Sequence, residues 1–336
     1  MTFSARGFYY SLAALLILMV GLNAIVAYTT RNSIPRQQMG RARRAPDTTV
    51  LAIGNSLIGA GFNESSFDRG MQLSPNRGSL NFALGYSLPV EQLLFLRFAL
   101  QHQMHPRIVI YGFYDLQLST PVRLATRDFV GNRAVLYYLE PEYARQFYYL
   151  SPHDRIEFEI MRHFPMMVDR GAFWAKIERL RRDIGQQGMP AERTNQFGRA
   201  DDFALLEAKS DAEFASACDQ ASNEDLISPV LEIIRQGQDS GARIVFVEMP
   251  MRPAHVKRFY ETPAWEKYRE HVRHIIEPKG VEYLDASHWI SDGALFDDPL
   301  HMGHQAAEQF SERLGQYLRH ESPSGTQSPN PNSLQR

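Results

Sequence analysis

Thr49-Val50-Leu51-Ala52-Ile53-Gly54-Asn55-Ser56-Leu57 is a short apolar run closed by a Gly-Asn-Ser turn. The run is too short for a helix and is bounded by turn residues, so it is read as a buried strand. A serine just past such a strand can stand on a tight turn with its hydroxyl exposed at a helix start. Near the other end of the chain, Asp298-Pro299-Leu300-His301 offers a base and its orienting carboxylate on one short loop. Together the two stretches hold the three groups of an acyl-transfer triad, in the order Ser, Asp, His. Each alone is a common sequence; the chain between them gives the combination its weight.

Outward from the first strand, apolar runs alternate with helical periodicity. Ser79 to Ala83, Arg107 to Gly112, Ala242 to Val247 and Val281 to Asp285 are read as four further strands. Helices are expected over Pro89 to Gln101, Asn223 to Gln238 (with Pro229 marking a kink or a late start), Thr262 to Ile276 and Gln305 to Leu318. Strands joined by helices of this length predict an α/β fold, a three-layer α/β/α arrangement around a mostly parallel five-stranded sheet. Residues 116–222 exceed what a crossover needs and are read as a helical insertion, with pieces such as Gly171 to Ile184. They form extra packing, a lid or a partner-docking surface.

The chain has 336 residues, 44% hydrophobic and 22% charged, which suits one large folded domain. A formal charge of −2 gives no electrostatic reason to expect nucleic acid as a partner. The single cysteine, Cys218, excludes an intramolecular disulfide, a Cys-rich zinc site and a CxxC pair. Residues 7–28 are uncharged and apolar, with Phe8, Tyr9, Tyr10 and Tyr28 at the two ends. About 20 such residues cross a bilayer as a helix, so a retained transmembrane anchor is preferred to a cleaved signal peptide. The organisation is then a tail 1–6, the anchor 7–28, a basic linker 29–47, a domain 48–320 with its insertion at 116–222, and a disordered tail 321–336. Arg31, Arg36, Arg41, Arg43 and Arg44 follow the span and only Arg6 precedes it, which by the positive-inside rule alone puts the domain in the cytoplasm.

The order of these pieces resembles the SGNH (GDSL-type) hydrolase superfamily over residues 48–115 and 223–319. Gly54-Asn55-Ser56-Leu57 stands for its Gly-Asp-Ser-Leu block, and Asn81-Phe82-Ala83-Leu84-Gly85-Tyr86 for the glycine loop after its second strand. Gly112-Phe113-Tyr114-Asp115 matches Gly-x-Asn-Asp, and Asp298 to His301 the closing Asp-x-x-His. The resemblance implies Ser56 as nucleophile, His301 as general base and Asp298 as the residue that fixes the imidazole. The backbone N–H groups of Ser56 and Gly85 (or Tyr86, in another register of that loop) would bind the oxyanion. Asn55 replaces the family's aspartate. Tyr114 replaces an asparagine donor to the oxyanion, a loss worth roughly 10²–10³ in rate unless its own hydroxyl serves. No metal or organic cofactor is needed for this chemistry.

Membrane-anchored members of the superfamily serve acyl transfer to cell-envelope polymers beside a polytopic acyltransferase. By that resemblance the chain is expected at the plasma (inner) membrane with its domain outside the cytoplasm. It would act as an esterase or O-acyltransferase on acylated envelope carbohydrate such as exopolysaccharide. A catalytically inactive SGNH-like module that binds glycan or scaffolds an acylation or export complex is the alternative, and a cytoplasmic lipase or thioesterase follows if the arginine bias decides. His304 and Asp297 compete with His301 and Asp298, and Asp285 is read as a loop-ordering carboxylate. His271 and His274 share a helix face, read as solvated rather than metal-binding. The Tyr-rich stretch 137–149 is read as core or lid packing.

Overall fold

Five strands, β1 (Val50–Gly54), β2 (Ser79–Asn81), β3 (Ile108–Phe113), β4 (Arg243–Glu248) and β5 (Glu282–Asp285), form one parallel sheet in the order β2-β1-β3-β4-β5. This is a doubly wound order, and its direction reverses between β1 and β3. β1 and β3 are buried along their whole length, so helices cover both faces of the sheet. The architecture comes from a computed structural model that describes residues 5–74, 78–119, 139–148, 151–161, 163–185 and 211–320.

The helices include α1 (Ala5–Thr30), α2 (Ile34–Arg44), α3 (Ser56–Gly61), α4 (Glu64–Met71) and α5 (Pro89–Gln101). The insertion contributes α6 (Pro152–Met161), α7 (Pro165–Val168), α8 (Arg170–Gly185) and α9 (Asp211–Ala221). The second half of the sheet adds α10 (Ser228–Asp239), α11 (Pro263–Ile276) and α12 (His304–His320). α12 lies along α4, and α10 against α5. Four strands fall within one residue of the expected ends, whereas β2 stops at Asn81 rather than Ala83. Its apolar run nonetheless continues the backbone bonding: Phe82 N–H donates to Ala52 O and Leu84 N–H to Gly54 O.

One expectation is narrowed and one changes. Of the kink and the late start that Pro229 allowed, α10 shows the late start: the helix begins at Ser228 with Pro229 in its first turn, where a missing N–H costs no hydrogen bond. The basic stretch 29–47 is more than a tether, because it contains α2. Pro35, Met39 and Ala42 recur at helical spacing and are buried. Gln38 donates to Ala83 O at 3.2 Å, Arg41 pairs with Glu64, and Arg36 pairs with Asp169 at 2.9 Å. Composition hid this helix because its buried stripe is narrow and its other faces are Arg and Gln.

α1 includes a 24-residue apolar stretch, Gly7–Thr30, long and apolar enough to cross a membrane. Within the insertion, Ala144, Tyr148, Phe158, Met161 and Val168 build a small second core on Val90 and Leu94 of α5. The expectations for 1–4, for the tail 321–336 and for residues 137, 138 and 149 of the Tyr-rich stretch lie outside the described residues.

Candidate active site

The carboxyl ends of β1 and β3, where the strand order reverses, are where such sheets place ligands. Gly54 and Gly112 are register partners there. Gly54 has φ +144°, and a Cβ on it would stand 2.4 Å from the Gly112 carbonyl oxygen. A Cβ on Gly112 would stand 2.6 Å from Cβ of Ile58 on α3. The two strand ends and α3 therefore approach closely only because both positions lack side chains. Asn55 then caps α3, its Oδ1 accepting from Leu57 N–H at 3.0 Å, while its Nδ2 donates to Gln117 Oε1 at 2.9 Å. Ser56 is the first residue of α3 and is half-buried. Asn55 thus caps α3 and also ties the β1 turn to the segment after β3.

The second loop folds onto the same turn. Ser87 Oγ donates to Gly54 O at 3.1 Å. Gln92 Nε2 donates to Ser87, and Tyr111 O–H donates to Gln92 Oε1 at 2.6 Å. Gly85 is buried, and the exposed Tyr86 takes a left-handed backbone with φ 60°. Asp115 is left-handed as well, with φ 55°. Two non-glycine residues held in that region beside one turn represent stored backbone strain, a feature that clusters at functional sites. Burial, then the charges of Asp115 and Tyr86, push the Tyr114 phenol well above its ordinary value. Tyr114 therefore stays protonated at neutral pH and keeps an O–H to donate.

Asp298 and His301 form a compact unit. Asp297 N–H donates to His301 O at 3.0 Å and closes the loop, and Phe296 bridges Met302. Asp298 Oδ1 accepts from Leu300 N–H at 2.8 Å and from His301 N–H at 2.7 Å. Its Oδ2 lies 2.8 Å from His301 Nδ1. Both side chains are buried, the imidazole 4% exposed and the carboxylate 10%. Burial alone would raise the Asp298 carboxyl, but the hydrogen bonds and charge of His301, with the loop N–H groups, outweigh it and hold the carboxyl below its ordinary 3.8. His304, the competing histidine, is exposed and pairs with Glu308, and Asp297 does not bond the His301 ring.

The loop reaches the serine's helix: the Met302 methyl packs on Gly61, and Ser311 Oγ donates to Gly61 O at 3.0 Å. No hydrogen bond joins Ser56 to His301, whose Nε2 is buried. A recess of about 230 Å³ borders the loop, lined by Arg252, Ala254, His255, Arg258, Phe259 and Pro299. Arg252 N–H donates to Pro299 O at 3.0 Å and holds the two walls together.

Motif reading missed several participants. Gln117 receives Asn55, and Tyr260 is buried close enough for Tyr114 and Asp115 to raise its phenol after burial does. Their only sequence signal was proximity to a matched block, for Gln117, and none for Tyr260. Asp285 accepts from Ser287 N–H and O–H and stands 3.5 Å from Arg269. His271 Nε2 lies 2.8 Å from Glu224 O. Among the described residues no cluster of three or more His, Cys, Asp or Glu is arranged to hold a metal.

No model of a known protein family matches the chain, and no curated protein matches it. Among solved structures, the chain is similar to a Bacteroides fragilis protein proposed to be an acylhydrolase, with 9% identity and a TM-score of 0.37. The match covers 84% of this chain and 93% of that one. At this TM-score the likeness carries no argument about activity.

Proposed function

We propose that this is a membrane-anchored serine esterase or O-acyltransferase of SGNH type. The observation that carries the reading is the Asp298–His301 unit: a buried carboxylate, organised by its own loop, holds one imidazole nitrogen, and the same loop packs Met302 against Gly61 at the far end of the helix that Ser56 opens. In the proposed reaction Ser56 Oγ attacks an ester carbonyl while its proton passes to His301 Nε2, and Asp298 stabilises the imidazolium. The N–H groups of Ser56 and Gly85 and the Tyr114 O–H receive the negative charge that develops on the carbonyl oxygen. Collapse expels the alcohol, which takes the proton from His301 and leaves an acyl-Ser56. Water or a sugar hydroxyl then removes the acyl group by the reverse sequence. The reaction needs Ser56 Oγ within hydrogen-bond reach of His301 Nε2 in the substrate complex, where catalytic hydrogen bonds commonly tighten.

The substrate class proposed is acylated envelope carbohydrate, with the domain outside the cytoplasm and a polytopic acyltransferase as partner. Arg36 and Arg41 have structural employment against Asp169 and Glu64, and Arg43 lies over Phe98. These arginines therefore have reasons to be present other than topology. A C-terminal alkaline phosphatase fusion that stays inactive in cells would reverse the orientation.

Tyr114 in the donor position favours a second reading, a silent module that binds glycan. A fluorophosphonate probe separates the two. The enzyme reading expects labelling of the wild type that disappears in Ser56→Ala and falls sharply in His301→Ala. Absence of labelling on folded wild type assigns the silent module.

A further inference from the structure

Among the described residues outside α1, large apolar side chains are exposed at Ile34, Tyr86, Ile156, Ile160, Trp174 and Leu180. Tyr86 belongs to the candidate site. Ile34 opens α2 just past the membrane helix, and the other four lie on α6 and α8 of the insertion. On α8, Phe173, Trp174, Ile177 and Leu180 follow helical spacing and form one stripe. Trp174 is 58% exposed and Leu180 59%, while Phe173 and Ile177 are half-buried. A soluble surface would not present such a stripe without a use for it.

The insertion is fastened to α1 at a defined depth. Met166 N–H, on α7, donates to Asn23 Oδ1 at 2.9 Å. Lys176 Nζ, on α8, donates to Thr29 O at 3.0 Å, and Thr30 Oγ1 donates to Asp169 Oδ2 at 2.8 Å. The 24 residues of Gly7–Thr30 measure about 36 Å at about 1.5 Å per residue. The hydrocarbon core of a bilayer is about 30 Å thick, about 20 residues. A span that begins at Gly7 therefore leaves the hydrocarbon near Ala27. The contact at Asn23 lies just inside that boundary, and the contacts at Thr29 and Thr30 just beyond it. α7 and α8 are thus held at the depth of the lipid interface, whatever the orientation of the protein.

We infer that the insertion is a membrane-seated foot: α8 lies in the interface beside α1, with Trp174, Ile177 and Leu180 among lipid headgroups and upper acyl chains. This inference rests on α1 spanning the bilayer and not on the chemistry of the candidate site. Tryptophan is favoured at that depth, where its ring is apolar and its N–H is wet. Apolar faces of interfacial helices sink roughly 5–10 Å into the boundary region. Depth and an uncovered apolar stripe coincide on the same helix, and lipid is the one occupant that the α1 contacts bring to it.

The test uses the full chain in phosphatidylcholine vesicles brominated in the upper acyl chain, with tryptophan fluorescence as the readout. Trp265 is fully buried and bonded to Glu248, and Trp289 packs on Phe310 and Tyr317. The expected result is quenching of wild-type emission that is lost in Trp174→Phe. Equal quenching in wild type and Trp174→Phe, or no quenching in either, overturns the inference. Resistance to alkaline carbonate extraction is measured in parallel: a chain that is extracted refutes the membrane span itself, whereas a retained chain with unquenched Trp174 refutes the foot alone. Native Cys218 is buried, so a Leu180→Cys variant reports its own contacts. Cross-linking of Leu180→Cys to a second copy, with Trp174 unquenched, would assign the stripe to self-association and overturn the lipid reading.

Discussion

Glu248, the last residue of β4, and Asp298, in the loop before α12, both anchor buried polar clusters, and they use their oxygens differently. Glu248 is fully buried. Its Oε1 accepts from Trp265 Nε1 and an Arg269 nitrogen at 2.9 and 3.0 Å; its Oε2 accepts from Arg269 Nε at 2.9 Å and Tyr283 O–H at 2.5 Å. Four donors fill a carboxylate's acceptor sites, and they come from α11 and β5. Glu248 is a staple between elements. Asp298 takes two donors from its own loop and aims its remaining bond at one nitrogen of a ring. A buried charge is thus not evidence of function by itself; where its bonds are directed is what separates a staple from a positioning carboxylate.

The comparison breaks first on kinetics. Asp298→Asn is expected to lower the rate of ester hydrolysis by about 10⁴, as for replacement of a triad aspartate, with the fold retained in circular dichroism. A loss under tenfold would make Asp298 a loop-former only. The same variant sharpens the comparison through pH. The folded value of Asp298 lies below the unfolded one, so the ionised carboxylate contributes stability above the unfolded value, and that contribution is lost as pH falls through the lowered folded value. Denaturant titrations should show the gap between wild type and Asp298→Asn at neutral pH, closing as pH drops below about 4.

The next effect belongs to the staple. Arg269→Met leaves Glu248 buried without its cation and is expected to cost about 3–5 kcal/mol, read as a fall in the urea midpoint. Activity per folded molecule should be unchanged at low denaturant. Loss of fluorophosphonate labelling in the folded variant would show that the Glu248 cluster also shapes the site.

Smallest is Gly54→Ala, whose added Cβ meets the Gly112 carbonyl at 2.4 Å in a backbone region that disfavours side chains. An overpacking cost of about 1–3 kcal/mol is expected, together with slower labelling of Ser56 because the turn must shift. A variant that melts and labels like wild type would mean that the close approach of β1 and β3 is not needed.

Much of this could be read from residues alone. The three central strands, β1, β3 and β4, show as apolar runs because both faces of a parallel sheet are covered there, and local periodicity needs no knowledge of partners. α2 could not be recovered in this way: Met39 and Ala42 look unremarkable until the domain surface covers them. Gln117 and Tyr260 join the site only through the meeting of segments distant in the chain. Within the candidate site, Asp298 and His301 were legible because three residues of separation bring them together on one loop.

The positions of the strands, most of the helices and the Asp-x-x-His unit are thus properties of the sequence itself, since each depends on neighbours within a few residues or on burial that composition reports. The distance between Ser56 and His301, the conversion of Glu248 into a staple and the depth at which α7 and α8 meet α1 were decided by tertiary structure. Each of these depends on contacts between segments tens to hundreds of residues apart, and no local preference encodes where such segments meet.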